Sequence, residues 1–304
     1  NITNIDFSKF DTSQVTNMLY MFNKCTSLTS LDLTNFNTEL VEDMFSMFHE
    51  CTSLEIINLK FKAPIVVDLS HMFEYCYNLR SIDLSNIEAR SAKYLGFMFG
   101  FCNSLFYANL TNFKAINVEY TSNMFYHCNA LQSIDLSDFS STVLDMGNMF
   151  YECKALKYID LSNFDVSILT SMGHMFYECN SLISVNFGEL KANLLQYMDY
   201  MFYRCISLKS IDLSNFDTKS VISMSHMFDG CIELTSLELG IFNTSSVIDI
   251  SYIFYNCSSL SSLNLKNSAS VIGRFFKLHI KIRPIRCCLQ SWKKDFILEK
   301  HKNR

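Results

Sequence analysis

The chain has 304 residues, 49% of them hydrophobic, with 27 Phe and 15 Met, enough to fill a core with large soft side chains. Its net charge of −5 divides unevenly: residues 268–304 hold ten Lys/Arg and two Asp/Glu, which leaves fifteen Lys/Arg against twenty-eight Asp/Glu in the rest. So acidic a body repels a phosphate backbone and excludes nucleic-acid binding there, and no apolar run of 18 residues offers a transmembrane helix.

The chain opens inside a repeat, at Ile2-Thr3-Asn4-Ile5-Asp6-Phe7, with no initiator Met and no leader pattern, as expected of a mature or truncated form. The phrase Phe-x-x-Cys-x-x-Leu then recurs ten times, with cysteines at 25, 51, 76, 102, 128, 153, 179, 205, 231 and 257. A period of 25 or 26 residues signals a solenoid, each unit one supersecondary element stacked on the next. Residues 1–267 therefore read as one array, and 268–304 as a separate basic tail.

Within the unit from Cys25 to Cys51, Leu28, Leu31 and Leu33 give L-x-x-L-x-L, and Ser30, Asp32 and Thr34 alternate with the leucines. That predicts a short strand with one buried face. Asn37-Thr38 can cap free N–H groups, and Val41, Met44, Met47, Phe48 and Cys51 then fall on one face of a helix. The expected fold class is an α/β solenoid: a right-handed arc of about ten coils, roughly 50 Å long at the strand spacing. A parallel sheet would line one face and short helices the other. The interior is a set of ladders, among them Phe48, Cys51 and Leu54, then Phe73, Cys76 and Leu79, then Phe99, Cys102 and Leu105. Two units run one residue short, at Lys60-Phe61-Lys62-Ala63-Pro64 and at Ser140-Ser141-Thr142-Val143.

Past Asn267 the pattern stops. Phe276, Leu278, Ile280 and Ile282 alternate with basic residues up to Pro284, and Ile285, Leu289, Trp292, Phe296 and Ile297 follow at helical spacing. Three readings stand: a strand and helix capping the last coil, a membrane-surface helix, or a segment foreign to the array.

The frame C-x-x-L-x-x-I-x-L, then N-F-[DN]-T, then M-F before the next Cys, resembles a known family. Leu208 to Thr218 and Ser225 to Cys231 come near the consensus of the BspA-like, or treponemal-type, leucine-rich repeat surface proteins. The resemblance spans residues 1–267. It implies a solenoid at the cell surface or secreted, binding host, matrix or neighbouring-cell proteins and serving adhesion or recognition. The alternative is an intracellular leucine-rich repeat scaffold or regulator using the same surface.

The cysteines occur one per coil without C-x-x-C pairing, so they suit a buried thiol ladder better than a metal site, while disulfides between adjacent coils stay open at a spacing of about 5 Å. Cys287-Cys288, in the basic tail, is set apart as a vicinal and reactive pair. Asp6, Asp32, Asn58, Asp83, Asn109, Asp135, Asp160, Asn186, Asp212, Glu238 and Asn264 share one strand position and form a polar stripe. It suits either a basic partner or a solvated Asp/Asn ladder. Tyr107 and Tyr158 break the serine column beside it, two coils apart. With Asp83, Asp135, Asp160 and Asp212 they make the candidate contact patch for a protein ligand. His71, His174 and His226 precede Met-Phe and form neither a metal site nor a triad. No paired Ser, His and acid, no phosphate loop and no cofactor motif is read, so the chain is expected to be no enzyme. Asn-x-Ser/Thr sequons lie at Asn1, Asn109, Asn243 and Asn256.

Overall fold

A computed structural model describes residues 3, 5–188, 192–213, 216–238, 243 and 245–264. The tail expected at 268–304, with Cys287 and Cys288, and the sequon at Asn1 lie outside them. The described residues form a β-solenoid of about eight turns with parallel pairing throughout.

The strands are short because only three or four residues per turn run extended before the chain must bend. They are β1 (Ser30–Leu33), β2 (Ile56–Leu59), β3 (Ser81–Asp83), β4 (Tyr107–Asn109), β5 (Tyr158–Asp160), β6 (Ser184–Asn186), β7 (Ser210–Asp212), β8 (Ser236–Glu238) and β9 (Ser262–Asn264). They pair as β1–β2, β3–β4, β5–β6 and β7–β8–β9. Each pair keeps the repeat in register: Ser30 faces Ile56, Asp32 faces Asn58, Tyr158 faces Ser184 and Asp160 faces Asn186. Residues 131–136, where a strand was expected, make none. Leu31 and Leu33 are buried while Asp32 is exposed, as the alternation requires.

The short helices are a correction: among the described residues there are none. An α-helix spends each N–H on the carbonyl four residues back in its own segment. Here every second N–H turns to the neighbouring coil instead. Met44, Ser46, Phe48 and Glu50 donate to the carbonyls of Asp68, Ser70, Met72 and Glu74 at 2.8–3.2 Å. Met47, His49 and Cys51 close tight turns onto the residue three back. Ser46 and Glu50 take the left-handed conformation, with φ of 53° and 57°. The same two positions are left-handed in coil after coil, at about 1–2 kcal/mol per non-glycine residue. Met44, Met47, Phe48 and Cys51 still all face inward, so the double turn reproduces the inward spacing of a helix. Asn37 and Thr38 start no helix either. Thr38 Oγ1 donates to Lys62 O at 2.7 Å and accepts from Lys62 N at 2.9 Å, stitching one coil to the next.

Bends are made by Asx turns, in which a carboxylate or amide oxygen accepts the N–H two residues on. Asp32, Asp83 and Asp160 do this at the strand ends, and Asp135 at the matching place in the coil without a strand. Asp11, Asn37 and Asp165 do it at a second corner, and Asp43, Asp68, Asp145 and Asp249 at a third. The third corner carries its own chain of parallel bridges, from Asn17 through Asp43 and Asp68 to Asp249.

Inside, Phe22, Phe48, Phe73, Phe99, Phe125, Phe150, Phe176, Phe202, Phe228 and Phe254 stack in one column. Neighbouring ring centroids lie 5.1–5.8 Å apart with planes within 17°. The ladder residues Phe48, Cys51, Leu54, Phe73, Cys76, Leu79, Phe99, Cys102 and Leu105 are all fully buried. The cysteines from 25 to 257 are free thiols. Each from Cys51 onward donates its S–H to the carbonyl of the stacked Phe one coil earlier: Cys51 to Phe22, Cys153 to Phe125, Cys257 to Phe228, at 2.9–3.3 Å. Burial pushes these thiols up, Cys51 and Cys257 to about 12, so they stay protonated donors.

Candidate functional site

The strands place one residue of every pair outward, and the columns this makes are the candidate site. In the column that begins at Ser30 most positions are serine. Ile56, Tyr107 and Tyr158 interrupt it, 59%, 50% and 57% exposed, and Phe106 beside Tyr107 is 51% exposed. Side chains of this size are left in water because a strand's outer face has no opposing layer. Asp83, Asp135, Asp160 and Asp212 are exposed in the neighbouring column. Asp83, Asp160 and Asp212 sit on β3, β5 and β7, whereas Asp135 lies in the stretch that forms no strand.

The carboxylates have a task of their own. Oδ1 of Asp83, Asp135 and Asp160 holds the N–H of Ser85, Ser137 and Ser162 at 2.8–2.9 Å. Asn186 Nδ2 donates to the other oxygen of Asp160 at 3.0 Å, linking adjacent strands. The Ser162 hydroxyl and N–H hold Asp160 below the usual carboxylate range, and the N–H and hydroxyl of Thr34 do the same for Asp32. Much of the acidity of the array is therefore bend chemistry, and Asn109 and Asn186 do the same job without charge. The remaining lone pairs, beside Tyr107 and Tyr158, can accept hydrogen bonds or oppose a cation. Arg80 pairs with Glu55 at 3.4 Å at the edge of this face.

The turn face on the other side holds what sequence reasoning missed. Tyr126, Tyr151, Tyr177 and Tyr203 stack at 4.4–4.6 Å, and His174, Tyr200, His226 and Tyr252 stack beside them at 4.6–4.8 Å. His174 and His226 are thus joined through Tyr200, while His71 lies in another stack, against Phe97 at 5.2 Å. His71 bonds Glu74 at 2.6 Å and His226 bonds Asp229 at 2.7 Å. Desolvation lowers the titration of His174 despite Asp199 nearby. The signal was present: the residue before Met-Phe is aromatic or His in seven of ten units, including Tyr20, Phe97 and Tyr252.

Among known families, the one described as "Mycoplasma protein of unknown function, DUF285" matches residues 2–86, 58–157, 94–203 and 183–277. Comparison with curated proteins gives no match. Several solved structures are similar. A leucine-rich repeat protein from Bacteroides ovatus is 19% identical, with 86% of each chain covered and a TM-score of 0.29. A leucine-rich cell surface protein from Faecalibacterium prausnitzii is 19% identical, covering 83% of this chain and 76% of its own, at a TM-score of 0.34. The leucine-rich repeat protein of T. pallidum is 17% identical, covering 81% and 87%, at 0.29. Four overlapping matches from residue 2 to residue 277 leave no doubt of kinship: the chain belongs to the DUF285 family, and its units are leucine-rich repeats of the BspA-like type.

Proposed function

We propose that the protein is a non-enzymatic interaction module that binds a protein ligand through its sheet face. In this reading it acts at the cell surface, in adhesion or recognition, as a right-handed arc of ten coils over residues 1–267 with the basic segment 268–304 as a separate part. The contact patch is Tyr107 and Tyr158 with Asp83, Asp135, Asp160 and Asp212. One observation carries it: Ile56, Tyr107 and Tyr158, each at least half exposed, interrupt a column otherwise of serine beside the Asx-turn carboxylates, with Phe106 exposed next to Tyr107. Exposed tyrosines backed by rigid strands bring large contact area at low entropic cost.

Two measurements test it. Antibody labelling of unpermeabilised cells, with protease shaving, should find the native protein at the surface. Signal only after permeabilisation would remove the adhesion role. A panel of immobilised matrix and host proteins should then yield a partner whose binding drops at least tenfold in the Tyr107→Ser, Tyr158→Ser double variant, about 1.4 kcal/mol. Equal binding by the variant would exclude the patch.

A further inference from the structure

We infer that the turn face of coils seven to nine is a second docking surface, built for an arginine-bearing segment of a partner protein. The first ground is the kind of side chain that fills a turn position left-handed in every coil. His174, Tyr200 and His226 occupy the position before Met-Phe with φ of 58°, 54° and 54°. Asn123 and Asn148 fill the same position in other coils, with φ of 62° and 55°, and Asn tolerates that conformation far better. The turn itself therefore does not require a ring at this position. Aromatic residues kept in a disfavoured conformation at the surface point to use of the surface.

The second ground is that the protein already shows how a guanidinium sits here. Arg204 lies 5.4 Å from the ring centroid of Tyr203, with Nη1 3.2 Å from Glu178 Oε1. A flat cation on an aromatic ring, held by a carboxylate, is the seat that arginine takes and lysine fits less well. Asp199, partly exposed, and Asp249, exposed, line the same turns, so the charge there is complementary to a cationic visitor, whereas Asp229 is buried against His226. The stacked rings are fixed in advance, which lowers the entropic cost of binding.

The test uses the full chain and fluorescein-labelled nona-arginine at physiological salt, read by anisotropy, with nona-lysine as comparator. The variant is Tyr200→Asn with His226→Asn. Neither substitution alters the net charge with His neutral, so bulk electrostatics stay constant. The expected result is a loss of affinity of about tenfold or more, the size of a desolvated cation–π contact. Nona-arginine should bind more tightly than nona-lysine in the wild type, and circular dichroism should show the variant folded at the assay temperature. Absence of wild-type binding, affinity of the folded variant unchanged within about twofold, or equal binding of the two peptides would each overturn the inference. The surface is distinct from the sheet face, so either outcome leaves the sheet-face proposal to its own test.

Discussion

Replacing Phe150 with Ala removes one ring from the middle of the phenylalanine column. The ring is fully buried and lies between Phe125 at 5.5 Å and Phe176 at 5.6 Å, nearly parallel to both. Burial alone puts the cost at about 3–5 kcal/mol, the usual range for a phenyl ring whose cavity cannot collapse. Collapse is hindered here because the coils above and below are tied by main-chain bonds, Phe125 N to Met149 O and Phe150 N to Met175 O, both at 2.9 Å. In a linear array stability is a sum of unit and nearest-neighbour terms, so a mid-array loss weakens two interfaces. Phe22→Ala, at the first ring of the stack, removes one stacked neighbour, Phe48 at 5.3 Å, and one edge-on contact, Phe7 at 5.6 Å near the chain's open end. Urea denaturation followed by circular dichroism should therefore show Phe150→Ala as the costlier variant by at least about 1 kcal/mol. Native-state hydrogen exchange should show faster opening of the coils on both sides of residue 150. Equal costs, or a loss below about 1 kcal/mol at Phe150, would refute the claim that the column carries coupling between coils.

Three further outcomes follow from the same geometry. Iodoacetamide at pH 8 should leave Cys76 to Cys231 unlabelled in the native protein and, among the ladder cysteines from 25 to 257, modify the partly buried Cys25 first; native labelling of Cys128 would contradict the thiol ladder. Asp160→Ala should lose up to about 1 kcal/mol, at the low end because the site is exposed, whereas Asp160→Asn keeps the turn and should be nearly neutral; equal effects in denaturant melts would remove the Asx-turn account. Burial depresses His174, so the unfolded chain takes up its proton at a higher pH than the folded one. Stability should then fall as pH drops below about 6.5 toward the lower folded value, and His174→Asn should flatten that slope in thermal melts between about pH 5 and 7.5.

The repeat, the inward ladders and the strands at L-x-x-L-x-L were legible because burial forces the same residue type to recur in every coil. The helices were not, because Met44, Met47, Phe48 and Cys51 face inward in either conformation. What separates the two is the residues between them. Asp43, Asp68 and Asp145 each stand two residues before the N–H they cap, a spacing that marks a bend and has no use inside a helix. The acid stripe was legible as a column, but its local task was not: Asp83 and Asp135 hold Ser85 and Ser137, a turn contact that recurs whether or not a ligand is met. Tyr107 and Tyr158 stood out correctly as exposed, since they replace serine in a column with nothing above it. The aromatic turn face escaped notice because the pattern lies across coils, one residue in each.

From Cys51 to Cys257 each thiol bonds the coil before it, and each ring of the column stacks on the rings of the adjoining coils. Excising the stretch from one cysteine to the next would bring together the same thiol, the same carbonyl and the same rings. A gene encoding such an array can gain or lose whole coils by recombination between its own repeats, with no new core to invent. The span of the surface is then set in steps of one strand spacing, roughly 4.8 Å, and reach becomes a trait that copy number alone adjusts.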